Sequence, residues 1–256
     1  MSASENALKT TVGPALKMQQ LELSLANTSI LQDINFAIKA GEVHCLVGPN
    51  GGGKTSLLRC LLGQMPHRGT VTIDYSQSPD ELPRVTGYVP QQLHMEKTLP
   101  LTVNDFMAIA CESLRPVFFG RSKARKVNCD ELLDRVGLGA NKRRRPVGSL
   151  SGGERQRLLF AQAMIPQPSL LLLDEPLSSL DQGGARQLID LIAECSSRGT
   201  TIVWVAHELS LVREVADSVS CISRRLLATG SVDDVLNNID PDILYRPVSD
   251  SVEAVL

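Results

Sequence analysis

One stretch limits the possible folds more than any other: Glu42–Met65, "EVHCLVGPNGGGKTSLLRCLLGQM". An apolar strand-like run leads into Gly48-Pro49-Asn50-Gly51-Gly52-Gly53-Lys54-Thr55, with Ser56 after it, and an amphipathic run follows. The eight residues satisfy G-x-x-x-x-G-K-[ST] in full, and they sit between a strand and a helix, as the motif requires. Glycines let consecutive backbone N–H groups turn inward around an anion without Cβ clashes. The helix that follows adds the positive end of its dipole. A phosphate-binding loop of this kind predicts that Lys54 reaches the β- and γ-phosphates of a nucleotide and that the Thr55 hydroxyl meets Mg2+.

A second chemical feature lies at Leu170–Pro176, "LLLLDEP". Two carboxylates follow a wholly apolar strand, and ligands in open α/β sheets bind at that strand edge. Asp174 is placed to hold Mg2+ through its water shell. Glu175 points elsewhere and can take a proton from an attacking water. His207 ends another strand, "TTIVWVAH", where it could hydrogen-bond a γ-phosphate. Gln91 follows "GYVP". Its neutral amide can sense Mg2+ or water without fixing charge.

The rest of the chain arranges itself around these points. Residues from about 18 to 47 alternate like strands, with turns at Asn27 and Ala40-Gly41. "GTVTIDYS" and "VTGYVPQ" are further strands. From about Gln92 to Ser149 strand runs disappear, and "LTVNDFMAIACESL" and "ARKVNCDELLDRVGL" carry helical spacing, which predicts a helical insertion. Strands and helices then alternate again through "SVSCIS", and such alternation implies a parallel sheet covered on both faces.

Composition excludes some classes. The chain has 256 residues, 43% hydrophobic and 21% charged, with net charge -2, which gives no reason to expect a polyanion as main partner. Cys45, Cys60, Cys111, Cys129, Cys195 and Cys221 are scattered with no C-x-x-C pair, so buried free thiols are expected. The first residues hold no apolar core of signal-peptide length, and no run reaches the ~18 apolar residues of a membrane span.

"GPNGGGKT", "YVPQ", "LSGGERQR", "LLLLDEP", "SSLD" and "VAH" occur in the order and spacing of the ATP-binding-cassette ATPases, and the chain resembles that family over residues 18–230. The resemblance implies an α/β phosphate-loop (RecA-like) ATPase core with an antiparallel β subdomain and an inserted α-helical subdomain. The core would occupy 18–91 and 150–230, the helical part 92–149, and a short extension 231–256. It also implies two copies paired head to tail. Ser151, Gly152 and Gly153 would then contact the γ-phosphate held on Lys54 of the second copy. Asp181 would cross the dimer interface, and Gln91 and His207 would report on the γ-phosphate. One departure stands out. The family stacks adenine on an upstream aromatic, but here the region reads "LSLANTSIL", with Leu25 or Ala26 near that place. Loss of a stack would weaken base binding by roughly 1 kcal/mol or more.

Thr86–Met107, "TGYVPQQLHMEKTLPLTVNDFM", resembles the same region of bacterial zinc-importer ATPase subunits. That likeness implies a cytoplasmic ATPase, peripheral on the inner face of the cell membrane. Its partners would be an integral-membrane permease and a periplasmic or extracellular metal-binding protein, with manganese or iron importers as the competing class. His94, Met95 and Glu96 lack a second histidine or cysteine at ligand spacing, so a surface loop is expected there rather than a zinc site. The run Lys142-Arg143-Arg144-Arg145 raises a role on nucleic acid or ribosomes, but four residues are too short to support it. Intact Lys54, Asp174, Glu175 and His207 argue against a regulator that binds nucleotide without hydrolysing it.

Overall fold

The computed structural model describes residues 13–76, 84–92, 100–112, 129–240 and 243–244. The elements begin with β1 (Ala15–Leu25), β2 (Thr28–Ile38), β3 (Val43–Val47), α1 (Lys54–Leu61), β4 (Arg68–Asp74) and β5 (Thr86–Val89). A helical stretch follows: α2 (Val103–Glu112), α3 (Cys129–Arg135), α4 (Ala140–Arg143), a 3-10 turn at Val147–Ser149 and α5 (Gly152–Ala163). The chain continues through β6 (Leu170–Asp174), α6 (Gln182–Ser197), β7 (Thr201–Val205), α7 (Leu209–Val215), β8 (Ser218–Ser223), β9 (Arg225–Ser231) and α8 (Val232–Asn238). Two compact units form, residues 1–82 with 195–256, and residues 83–194.

The first unit contains an antiparallel sheet in which β1 pairs with both β2 and β4. Leu16, Met18, Leu21 and Leu23 of β1 are buried. The alternation slips by one residue between Met18 and Leu21, where the register with both neighbours shifts. Gln20 takes φ 51 at this bulge. A bulge of this kind adds a residue to one strand and lets its inward set resume on the same face. Gly69 lies opposite, where a Cβ would run into the Gln20 carbonyl. The same unit holds a parallel set, β3 flanked by β7 and β8. Every residue of β3 and β7 is buried, as expected for strands covered on both faces.

β9 lies antiparallel to β8 and is a strand that the sequence reading did not expect. Its alternate side chains are exposed, so its apolar content falls below that of a central strand. The sheet is therefore parallel in its interior and antiparallel at this margin.

In the second unit β5 and β6 pair in parallel. The four leucines of β6 are completely buried, each contributing roughly 1.5–3 kcal/mol by leaving water. The start of α2 is tied to the segment after α4 by Val103 N–H to the Arg145 carbonyl at 3.1 Å and Val147 N–H to the Leu101 carbonyl at 2.8 Å.

The cysteine expectation needs correction. Cys45, Cys60, Cys195 and Cys221 are free and buried, but Cys111 and Cys129 form a disulfide. They sit at the end of α2 and the start of α3, a meeting of helix ends that a spacing of 18 residues does not reveal. Among the described residues no helix is long and apolar enough to cross a membrane.

Candidate active site

In the first unit the phosphate loop starts where β3 stops. Gly48, Gly51 and Gly53 have φ of 134, 79 and 96, the left-handed region that favours glycine. The loop also lies flat on β8: a Cβ at Gly48 would strike the Ile222 carbonyl, and one at Gly52 would stand 2.7 Å from it. Arg224 N–H donates to the Gly52 carbonyl at 2.9 Å, and Gln32 N–H donates to the Arg224 carbonyl at 2.7 Å, so β2 and the β8–β9 turn brace the loop. Lys54 is buried, and its Nζ donates to the Gly48 and Pro49 carbonyls at 2.8 Å each. Thr55 and Ser56 are half-buried, Asn50 and Gly51 exposed.

His207 reaches the same edge by register. Leu46 pairs with Val205, and Ala206 N–H donates to the Leu46 carbonyl at 3.1 Å, so Gly48 and His207 both lie two residues beyond paired strand positions. His207 is exposed. Cys221, on β8 under the loop, is pushed up to about 11 by burial, an effect the Lys54 charge opposes; the thiol stays protonated at neutral pH.

The second unit carries the remaining residues. Val89 pairs with Leu173, so Gln91 and Glu175 are level beyond their strand ends. Gln91 Nε2 donates to Glu175 Oε2 at 2.7 Å. Asp174 is buried and Glu175 half-buried, with Glu175 at φ 49, a strained value for a residue with a side chain. The adjacent acids thus face different surroundings.

Ser151 is the N-cap of α5. Its Oγ accepts from Glu154 N–H at 3.2 Å, and the Glu154 carboxylate accepts from Ser151 N–H at 2.9 Å, a reciprocal capping box. The Ser151 backbone N–H, then Lys142 and Arg145, hold the Glu154 carboxyl below the usual carboxylate range against the opposing effect of burial. Gly152 is exposed, and Gly153 lies against the "SSLD" segment, where a Cβ would stand 2.9 Å from the Ser179 carbonyl. Asp181 Oδ1 accepts from Gly184 N–H at 2.9 Å, capping the start of α6.

Sequence reasoning missed three supports. Three residues of the basic run are engaged inside the unit: Lys142 pairs with Glu154 at 3.0 Å, Arg143 with Asp130 and Asp134 at 2.9 and 2.7 Å, and Arg145 donates to the Ser149 carbonyl at 3.2 Å. The spacing Ser151-x-x-Glu154 signals the capping box, so half of that support was legible. The bracing by Arg224 and the buried amide of Gln156, which donates to the Pro90 carbonyl at 3.3 Å, carried no sequence signal. His94, Met95 and Glu96 lie outside the described residues. Among the described residues no group of three His, Cys, Asp or Glu side chains could hold a metal.

The phosphate loop of the first unit fits the phosphates of a nucleotide. At Gly48, Gly52 and Gly53 the loop has no room for a Cβ, and it carries the buried ammonium of Lys54. Protein donors alone are too few for Mg2+, which commonly takes one or two protein oxygens together with phosphate oxygens and water. Fold and site together define a phosphate-loop nucleotide-binding protein of the α/β class. Residues 31–178 match the ABC transporter family, and the chain belongs to it.

Relatives extend the match. The chain is 35% identical over 223 residues to the zinc import ATP-binding protein ZnuC of Pseudomonas aeruginosa, covering 86% of this chain and 76% of that one. It is 36% identical over 234 residues to the protein of the same name from Paramagnetospirillum magneticum, covering 91% and 82%. The solved structure of cbiO1 from Clostridium perfringens, part of the ABC transporter complex cbiONQ, superposes with TM-score 0.67 at 26% identity, covering 87% of this chain and 90% of that one. An ATP-binding subunit of an ABC transporter gives TM-score 0.72 at 24% identity, with coverage of 87% and 92%, which shows the shared fold.

Proposed function

We propose that the chain is the ATP-hydrolysing subunit of a membrane importer for zinc, working as a pair of copies on the cytoplasmic face against a partner permease supplied by a metal-binding protein. The observation that carries hydrolysis is the level pairing of strand ends that puts the Gln91 amide on the Glu175 carboxylate at 2.7 Å. The choice of zinc rests on relatives named as zinc import ATP-binding proteins at 33–36% identity over most of the chain.

In this reading Gly48, Pro49, Asn50, Gly51, Gly52, Gly53 and Ser56 shape the phosphate cradle. Lys54 turns from the loop carbonyls to the β- and γ-phosphates. Thr55 and Asp174, with Gln91, would hold Mg2+, which neutralises phosphate charge when bound. Glu175 accepts the proton of the attacking water, and its half-buried position leaves it reachable by solvent. His207 hydrogen-bonds the γ-phosphate. Ser151 Oγ accepts from its own helix, so its hydroxyl proton can be given to a phosphate oxygen. Ser151, Gly152 and Gly153 of one copy thereby close on the γ-phosphate held by the other, with Asp181 at the seam. Closure moves the permease, and loss of the γ-phosphate removes contacts that favour the closed pair.

Two measurements test this. Glu175→Gln should retain ATP binding while turnover falls at least a hundredfold; hydrolysis at the wild-type rate in that variant rules out Glu175 as the base. Cells lacking the chain should accumulate less zinc with manganese and iron unchanged, and a deficit confined to manganese or iron would reassign the cargo.

A further inference from the structure

Gln156 is among the few polar side chains buried among the described residues of the second unit, 3% exposed, on the face of α5 turned away from solvent. Burying an amide is costly unless it is hydrogen-bonded. Its Nε2 donates to the Pro90 carbonyl at 3.3 Å. Pro90 is the residue before Gln91, and Gln91 Nε2 donates to Glu175 Oε2 at 2.7 Å. Pro90 has a fixed φ and no N–H of its own. A hold on its carbonyl therefore sets the peptide plane from which Gln91 departs. Glu175, the other end of this connection, keeps a backbone φ of 49, a conformation that persists only where its surroundings over-determine it.

We infer that Gln156 is a positioning residue for the Gln91–Glu175 pair, so that α5 sets the placement of the Gln91 amide against the catalytic carboxylate. Ser151 caps the start of this same helix, five residues before Gln156. A helix of 12 residues moves as a rigid rod over that distance. Closure of a second copy onto Ser151 is therefore transmitted through Gln156 to the hydrolytic groups of the same chain. This rests on the reading above that Glu175 is the base and that Ser151 meets the second copy's nucleotide.

The test is steady-state ATP hydrolysis by the full-length chain carrying Gln156→Met, which keeps an unbranched side chain of similar length and deletes the donor. The expected result is a five- to twentyfold fall in kcat with KM for ATP within twofold of wild type. In a Gln91→Ala background the same substitution should cause no further fall. Gln156→Asn, polar but too short to reach Pro90, should reproduce the kcat loss, and serves if the Met variant does not fold. An undiminished kcat in a folded Gln156 variant overturns the inference, as does a loss that multiplies with Gln91→Ala. Should Glu175→Gln and Gln91→Ala themselves leave hydrolysis intact, the site reading fails instead.

Discussion

At the scale of single residues, the phosphate loop separates two demands that both read as glycine in the sequence. Gly51 has φ 79 and open space where its Cβ would go. Gly52 has an ordinary backbone, but its Cβ would stand 2.7 Å from the Ile222 carbonyl and 3.0 Å from the Pro49 carbonyl. Gly51→Ala should therefore cost about 1–2 kcal/mol through left-handed strain alone. Gly52→Ala must shift backbone on two sides, should cost about 1–3 kcal/mol, and should abolish ATP binding because the cradle itself moves. Urea unfolding with parallel nucleotide titration reads both. Full ATP affinity in Gly52→Ala would show that the loop does not bear on β8 as described. Both positions fall among the variable residues of the motif and are glycine in this chain, and only the packing tells which one lacks room and which one needs a rare φ.

At the scale of elements, His44 shows what a strand can hide. In sequence it is one polar residue in the apolar run of β3. In the fold it pairs in register with Ser218, stacks on Phe36 with centroids 5.3 Å apart, and shares its ring nitrogens with Ser218 Oγ at 2.6 Å and Ser220 Oγ at 3.0 Å. Ser220 passes the contact to Thr229 Oγ1 on β9 at 2.8 Å. Burial pushes the imidazole down to about 3, because its charged form loses hydration. Below its unfolded value of about 6.5, the unfolded chain takes up a proton that the folded chain refuses. The stabilisation is thus complete above pH ~6.5 and is lost as pH falls toward 3, by up to about 1.4 kcal/mol per pH unit. Unfolding free energy should drop by roughly 2–3 kcal/mol between pH 6.5 and 4.5 beyond the change in a His44→Gln variant. Parallel pH profiles for the two proteins would refute the assignment. Neither the Ser218–Ser220 partnership nor the edge strand β9 was legible in the chain, since both depend on which strands become neighbours.

At the scale of the whole molecule, the candidate residues fall into two sets. Gly48–Ser56 and His207 belong to one compact unit, and Gln91, Ser151–Gly153, Asp174, Glu175 and Asp181 belong to the other. The proposed head-to-tail pair makes a directional prediction about Ser151. Mixed dimers should be built with Lys54→Ala in one copy, leaving a single working phosphate loop in the other. Ser151→Arg placed on the Lys54→Ala copy should reduce hydrolysis more than tenfold, because it faces the working loop. The same substitution on the copy with intact Lys54 should have little effect. The reverse pattern would mean that Ser151 serves the phosphate loop of its own chain.

What the amino-acid sequence determined by itself is the local chemistry: the phosphate loop, the acids after "LLLLD", the glutamine after "YVP" and the serine opening α5. Such features depend on residues near in the chain, whose spacing sets backbone geometry directly. Tertiary structure decided the rest. It joined Gln91 to Glu175 across 84 residues, paired Lys142 with Glu154 and Arg143 with Asp130 and Asp134, joined Cys111 to Cys129, and buried Gln156 against Pro90. Those partnerships require strand register and helix packing, which arise from summed burial over the whole chain and leave no periodic signal at the residues they unite.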